Sequence, residues 1–432
     1  MPTPAPAVAH LLRRTGFSAD PAQVAALAPL DIKDIVERVL AAPAKAPAPA
    51  TPRIVLDDKA AWWDRYVAMV QAWFDRMATT PAPLAEKMTL FWHGHFTSSL
   101  EKVGSHRAIW DQHLLLRRQG LGSFVALAKA VSVDPAMLRY LDNDRNVRGA
   151  PNENFARELM ELMTLGVNQY TQRDVAEAAR AWTGHTWNKE TGQYAFKAER
   201  HDPGQKTIFG ITKAWNGSQL LDEILLGSKR EVAARFLATK LWGFFAYPGP
   251  EPAVVDAVVK PYLATPDLQI TALLRAMFLR PEFYSAKARQ GLVRSPIEYV
   301  VAAMQATGQP AGVLHPEWWL EGMGQQPFQP PNVSGWRPNG YWISASAQWA
   351  KSRFAGFVRW KASEAGFLAG TKAMPPEVAV RHALAQFGVT APSAATVGAM
   401  RRWVEGERAT TRWAEQPNLT MLCLLTPEFQ LA

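Results

Sequence analysis

An all-α fold is predicted for this 432-residue chain, and three observations predict it. Apolar residues recur at helical spacing in one segment after another. Helix starts and stops punctuate those segments: Asp20-Pro21, Thr171, and Gly166 after Leu165. Strand-like alternation is confined to residues 193–210. The expected architecture is a large multi-helix globular body. It carries a short β excursion near 193–210 and a long non-helical loop near 324–343.

The elements follow in chain order. Residues 9–40 read as helical, with Ile32, Ile35, Val36, Val39 and Leu40 at helical spacing. Residues 41–53, AAPAKAPAPATPR, form a Pro/Ala linker poor in core-forming side chains. Helical periodicity resumes over 57–78 through Trp62, Trp63, Tyr66, Val67, Val70, Trp73 and Phe74. After Pro81 and Pro83 a helix over 84–97 carries FWHGHF, and two more lie near 106–119 and 121–132. The best-defined helix is Asn152–Leu165, with Asn152 as N-cap, Glu153 at the positive end of the dipole and Gly166 as the stop. Thr171 caps a helix reaching Trp182. Further helices are expected near 218–226, 229–246, 252–263, 268–279 and 294–307. Residues 324–343, GQQPFQPPNVSGWRPNGYWI, are too rich in Pro and Gly for a helix and form an ordered loop of the functional type. Helices near 344–364, 376–387, 393–405 and 417–424 complete the chain. The expected division is N-terminal helices over 1–40, a linker over 41–56, a core over 57–365, and C-terminal helices over 366–432 packed on that core.

Composition excludes several classes. Apolar residues make up 48% and charged residues 20%, an ordinary globular balance that argues against disorder. No apolar run reaches the roughly 18 residues that a membrane span needs. One cysteine, Cys423, rules out an intramolecular disulfide and a Cys-based metal site; in MLCLLTP it reads as a buried thiol. The N-terminus lacks the pattern of a secretory signal, so the expected compartment is the cytoplasm, with a trimmed export signal as the alternative. The formal net charge of +9 is spread along the chain without a basic run. No nucleic-acid partner is expected; an acidic glycan would exploit the same charge.

Six segments carry a family resemblance. AHLLRRTGF (9–17), FWHGHF (91–96), NENFARELMELMTLGV (152–167), YTQRDVAEAARAWTG (170–184), HDPGQK (201–206) and PPNVSGW…NGYWI (330–343) occur in this order. Together they resemble the bacterial domain-of-unknown-function family numbered 1800, over nearly the whole chain. The resemblance implies no established activity. Members of that family often sit beside genes for a second family similar to sulfatases and phosphatases, which implies envelope polymer chemistry and makes that neighbour's product a candidate partner. Many relatives resemble ELHTLG where this chain has Met163 in place of the histidine.

The residues themselves suggest several constellations. His93 and His95 would share a face on a strand and could bind one metal there. On the expected helix they diverge by about 200°, so one should point into a site unless Gly94 breaks the helix. Glu153, Arg157 and Glu161 can form an ion-pair ladder, with Glu158 beside Glu161. A partly buried Glu suits acid catalysis, and an Arg-paired Glu stays ionised; a structural salt-bridge network is the alternative. Asn154 can bond substrate. Asp142 and Asp144 read as turn carboxylates. Asp174, Glu177 and Arg180 could face Glu158 and Glu161 across a helix pair, but no Glu-x-x-His motif accompanies them. His201, Asp202 and Lys206 lie on the irregular excursion as possible acid–base and substrate-binding groups. Of 17 tryptophans, Trp318, Trp319, Trp336, Trp342 and Trp349 gather around the long loop. Trp92, Trp336 and Trp342 are candidates for stacking on a sugar ring.

Three functional readings follow. The first is a hydrolytic or transfer enzyme on a carbohydrate-type polymer. Glu158, Glu161, His93, His95, His201 and Asp202 would be its acid–base groups, and Arg157, Asn154, Trp92, Lys206, Trp336 and Trp342 its substrate contacts. The second is a metal-dependent enzyme, of oxidoreductase type among others, with a divalent metal held by imidazole from His93, His95 or His201 and carboxylate from Glu158, Glu161 or Asp174. The third is a non-catalytic partner or scaffold. The first requires a cleft joining the 152–161 helix to the 324–343 loop.

Overall fold

Side-chain burial follows the helical repeat from the first elements onward. In the helix Trp62–Thr79 the buried positions are Tyr66, Met69, Val70, Trp73, Phe74 and Met77, one apolar stripe at intervals of three and four. The computed structural model describes residues 2–47, 49–188, 191–410 and 415–432. The predicted helical class holds: helices follow one another from Ala5–Thr15 to Pro427–Gln430, and strands are restricted to two small pairs. None of the described helices is long and apolar enough to cross a membrane.

One helix lies at the centre. Pro83–His95 buries residues on every side, from Leu84 through His93, and His95 as well. A helix buried all round belongs to the middle of a core, not to its rim. Its neighbours include Trp62–Thr79 and His106–Gln119. Glu86 ties the three together: fully buried, it accepts from Arg76 at 3.1 Å and from Arg117 at 2.6 Å. The buried apolar cluster runs from Val8 in the first helix to Phe429 near the end of the chain. The Pro/Ala stretch carries two short 3-10 turns, Ala42–Lys45 and Arg53–Leu56.

Three expectations need correction. The segment 152–165 is not one α-helix. It starts at Asn154, runs to Glu158, and continues as a π-helix over Leu159–Thr164. The Thr164 hydroxyl donates to the Leu159 carbonyl at 2.6 Å, five residues back. The Leu165 and Gly166 N–H groups share the Met160 carbonyl, at 2.8 and 3.1 Å. Second, Asn152 is not the N-cap; its side chain closes a turn by accepting the Asn154 N–H at 2.9 Å, and Glu153 holds the cap position. Gly166 is the stop as expected, with φ +85. Third, the β excursion is wider than 193–210. It consists of two antiparallel pairs, His185–Trp187 with Tyr194–Phe196 and Lys206–Ile208 with Ile211–Lys213.

The 324–343 loop is irregular until a 3-10 turn at Asn339–Ile343. Despite its Pro and Gly content, Gln325, Phe328 and Trp342 are buried. It lies against the end of the central helix. At Gly335, with φ +77, an added Cβ would stand 2.6 Å from the Gly94 carbonyl oxygen, so this crossing of two backbones requires glycine.

Candidate ligand cleft

The FWHGHF end of the central helix and the 324–343 loop form two walls of a cleft of about 460 Å³. Phe91 and His95 come from the helix, and Trp336 and Trp342 from the loop. The opposite wall is the helix Arg230–Phe245, which supplies Lys240 and Phe244. Arg14, Ser295 and Glu298 reach it from the first helix and from Pro296–Thr307 with its cap.

The loop is pinned. The Phe328 N–H donates to His93 Nε2 at 3.0 Å, and the Thr97 hydroxyl to the Val333 carbonyl at 2.5 Å. Asn339 Oδ1 accepts the Val293 N–H at 3.1 Å. The buried Lys351 ammonium donates to the Trp342 carbonyl at 2.9 Å. Trp342 is therefore fixed, 4% exposed. Trp336 is half-buried, its ring centroid 5.3 Å from that of His93.

The two histidines diverge as helical geometry requires, but both are buried. His93 sits among Trp73, Phe328 and Trp336, and burial holds its imidazole down at about 4. Its Nε2 lone pair is taken by the loop N–H. His95 stacks on Phe91 at 5.5 Å and donates Nε2–H to the Met163 carbonyl at 3.0 Å. A carbonyl can only accept, so His95 is the Nε2–H tautomer and Nδ1 keeps a lone pair without a hydrogen-bond partner. Burial, then the Lys240 charge, keep His95 neutral, well below the usual imidazole range. The Lys240 ammonium donates to the neighbouring Leu162 carbonyl at 3.1 Å. The π-helix thus ends against His95 and Lys240, which satisfy two of its last carbonyls. Met163 contributes that carbonyl, while its side chain lies in the apolar cluster.

Charge in the cleft is unevenly matched. Burial lowers Lys240 to about 8. Glu298 pairs with the buried Lys87 ammonium and accepts the Ser295 N–H at 2.8 Å as a capping box. Burial alone would push Glu298 up, but Lys87 and the Ser295 bonds outweigh it and hold the carboxylate ionised.

The other predicted residues lie elsewhere. Trp92 is a core side chain, its indole N–H donating to the Gly120 carbonyl at 2.8 Å. Arg157 binds Glu153 at 2.8 Å and Gln172 at 2.8 Å, while Glu161 takes the Tyr170 hydroxyl at 2.5 Å; the two halves of the expected ladder go different ways. Glu158 is half-buried, and burial together with the Glu161 charge raises it. The amide of Asn154 donates to the Leu141 carbonyl at 3.3 Å. Asp174 closes the Thr171 capping box and also accepts the Phe209 N–H at 2.7 Å. His201 and Asp202 form no dyad: His201 Nδ1 donates to the Thr183 carbonyl at 2.9 Å, and Asp202 pairs with Arg180 at 2.7 Å. Lys206 is buried, capping the Asp202 and Gly204 carbonyls at 2.6 and 2.9 Å. None of these lines the cleft, and neither does any other residue of 152–161. The expected cleft between that helix and the 324–343 loop is not formed. The loop faces the FWHGHF end of the central helix and the helix Arg230–Phe245 instead, which takes Glu158 and Glu161 out of any acid–base role in this cleft. Among the described residues no three His, Cys, Asp or Glu side chains converge as a metal ligand set. The set named for a metal is dispersed, with the His93 lone pair and the Asp174 oxygens already engaged.

Sequence reasoning missed Lys240, Arg14 and Glu298. Lys240 had a signal: it is the lone charge in the apolar run FLATKLWGFF (236–245). Glu298 was readable as the end of the capping box S-P-I-E, but its partner Lys87 lies 211 residues away and was not.

The class defined by fold and site is a predominantly helical protein with an aromatic-walled, ligand-sized cleft. The chain belongs to the family described as Protein of unknown function (DUF1800), whose model matches residues 10–431. No curated protein and no solved structure matches it.

Proposed function

We propose that the protein is an enzyme of hydrolytic or transfer type acting on a carbohydrate-type ligand held in this cleft. The observation that carries the reading is that Trp336 and Trp342 share one cleft with Phe91, His95 and Lys240. The half-buried Trp336 keeps a face that can stack on a sugar ring, the nearly buried Trp342 shapes the wall, and a few polar groups fix orientation. The proton-transferring group is Lys240. Proton transfer is most effective when the group's pKa lies near the working pH, and Lys240 falls at about 8. His95 is held neutral and Glu298 ionised, which suits both to orientation rather than proton transfer.

A screen of oligosaccharides for reducing-end release tests this with wild type, Trp336→Ala and Lys240→Arg. Trp336→Ala should raise KM about tenfold or more. Lys240→Arg should keep binding and lose most of kcat, because a guanidinium does not give up its proton. Full activity in both variants would sink the reading. A second reading rests on Glu158, a raised carboxyl beside Glu161; it gains if Glu158→Gln abolishes turnover while Lys240→Arg does not.

A further inference from the structure

We infer that the cleft binds a ligand carrying an anionic group, a carboxylate or phosphate-type oxyanion, seated between Arg14 and Lys240. The inference takes its location from the reading above, but its basis is charge and not the aromatic walls. Arg14 and Lys240 line the cleft; Lys87 and Arg294 do not, but each acts on the lining residue Glu298, Lys87 as its ion-pair partner and Arg294 through its charge. Arg14, Lys87 and Arg294 are each 2% exposed. Glu298 is the carboxylate whose charge reaches all three. Four cationic side chains stand against Glu298 and the α-carboxylate of Ala432, which also lines the cleft, and leave a surplus of two positive charges. Buried charge without a counter-charge is unfavourable, and an incoming anion relieves it.

Hydrogen bonding points the same way. Arg14 gives Nη2 protons to the Ala246 and Ala288 carbonyls, which fix the guanidinium, while its Nε proton has no acceptor. Lys240 spends one of its three protons on Leu162. Carboxylate and phosphate oxygens are the acceptors that such donors match best. A second cleft, of about 520 Å³ around Trp187, is also basic, with Arg139, Arg145, Lys197 and Arg200 against Asp144. Arg145 and Arg200 are exposed there, and their charge is already met by water.

The test is calorimetric titration of the full chain with sodium phosphate, glucuronate and glucose at constant ionic strength, using wild type, Lys240→Gln and Lys240→Arg. Thermal melts confirm that the variants fold. Phosphate and glucuronate should bind saturably, with glucose at least tenfold weaker. Lys240→Gln should weaken both anions about tenfold, the cost of one charged hydrogen bond, and Lys240→Arg should restore them. Phosphate binding without any sugar binding would uphold the anion site and remove the carbohydrate reading. Three results would overturn the inference: glucose matching glucuronate, no saturable anion binding, or phosphate binding unchanged in Lys240→Gln, which places the anion at the cleft around Trp187.

Discussion

Charge is handled in opposite ways on the two sides of the 154–164 helical segment. On the side facing residues 170–206, charged groups are satisfied locally: Arg157 pairs with Glu153 and Arg180 with Glu177 and Asp202, while Asp174 accepts from the Thr171 hydroxyl and the Phe209 N–H. On the cleft side, cations outnumber carboxylates, and a histidine nitrogen and an arginine nitrogen lack partners. Sequence density of charge and chemical availability of charge are therefore different properties. The densest cluster is largely paired within itself, and the unpaired charge lies where the sequence is sparse.

The contrast can be broken or sharpened by substitution. The largest effect is expected from Trp342→Ala, which empties a buried site and should cost about 3 kcal/mol or more of stability in denaturant unfolding; an unchanged midpoint would mean that the loop is not part of the core. Arg180→Ala should cost about 1–3 kcal/mol through lost charged hydrogen bonds, yet leave ligand binding in the cleft untouched. A loss of binding there would join the two regions that the structure separates.

Lys240 gives a smaller effect with a defined sign. Its folded pKa of about 8 lies below the ordinary lysine value of 10.5. Between those values the unfolded chain holds the extra proton, so this group makes stability rise with pH. Lys240→Gln should flatten that rise by no more than about 1 kcal/mol, since the side chain is partly open to solvent. Comparing urea midpoints at pH 7.5 and 9.5 in wild type and variant measures it, and equal slopes would remove the assignment. Anion affinity should run the other way, falling above pH 8 as the ammonium is lost. Last, Glu153→Gln breaks an exposed ion pair and should change stability by about 0.5 kcal/mol or less; a larger shift in the thermal midpoint would mark this side as less passive than its hydrogen bonds indicate.

Much of the helical scaffold was legible because burial imposes a 3.6-residue repeat. The Trp62–Thr79 stripe and the Gly166 stop are examples. The π-turn was not legible, because its extra residue leaves apolar positions such as Leu159, Met160 and Met163 looking helical. At the site, Trp336 and Trp342 were marked by their place in a Pro/Gly loop. His93 and His95 were marked by composition, but their roles depend on Phe328 and Met163, which lie far along the chain. Arg14 and Glu298 illustrate the remainder: they meet only after the first helix and the one beginning at Pro296 have packed on the central helix.

The pinning of the 324–343 loop has a kinetic consequence. A roof held by His93, Thr97 and Lys351 does not need to be ordered when a ligand arrives. Association then carries little conformational-entropy cost on the protein side. Its heat-capacity change should scale with the aromatic area that the ligand covers, without the larger signature of coupled folding. Residence time, rather than encounter rate, would be the quantity that a substitution at Trp336 changes.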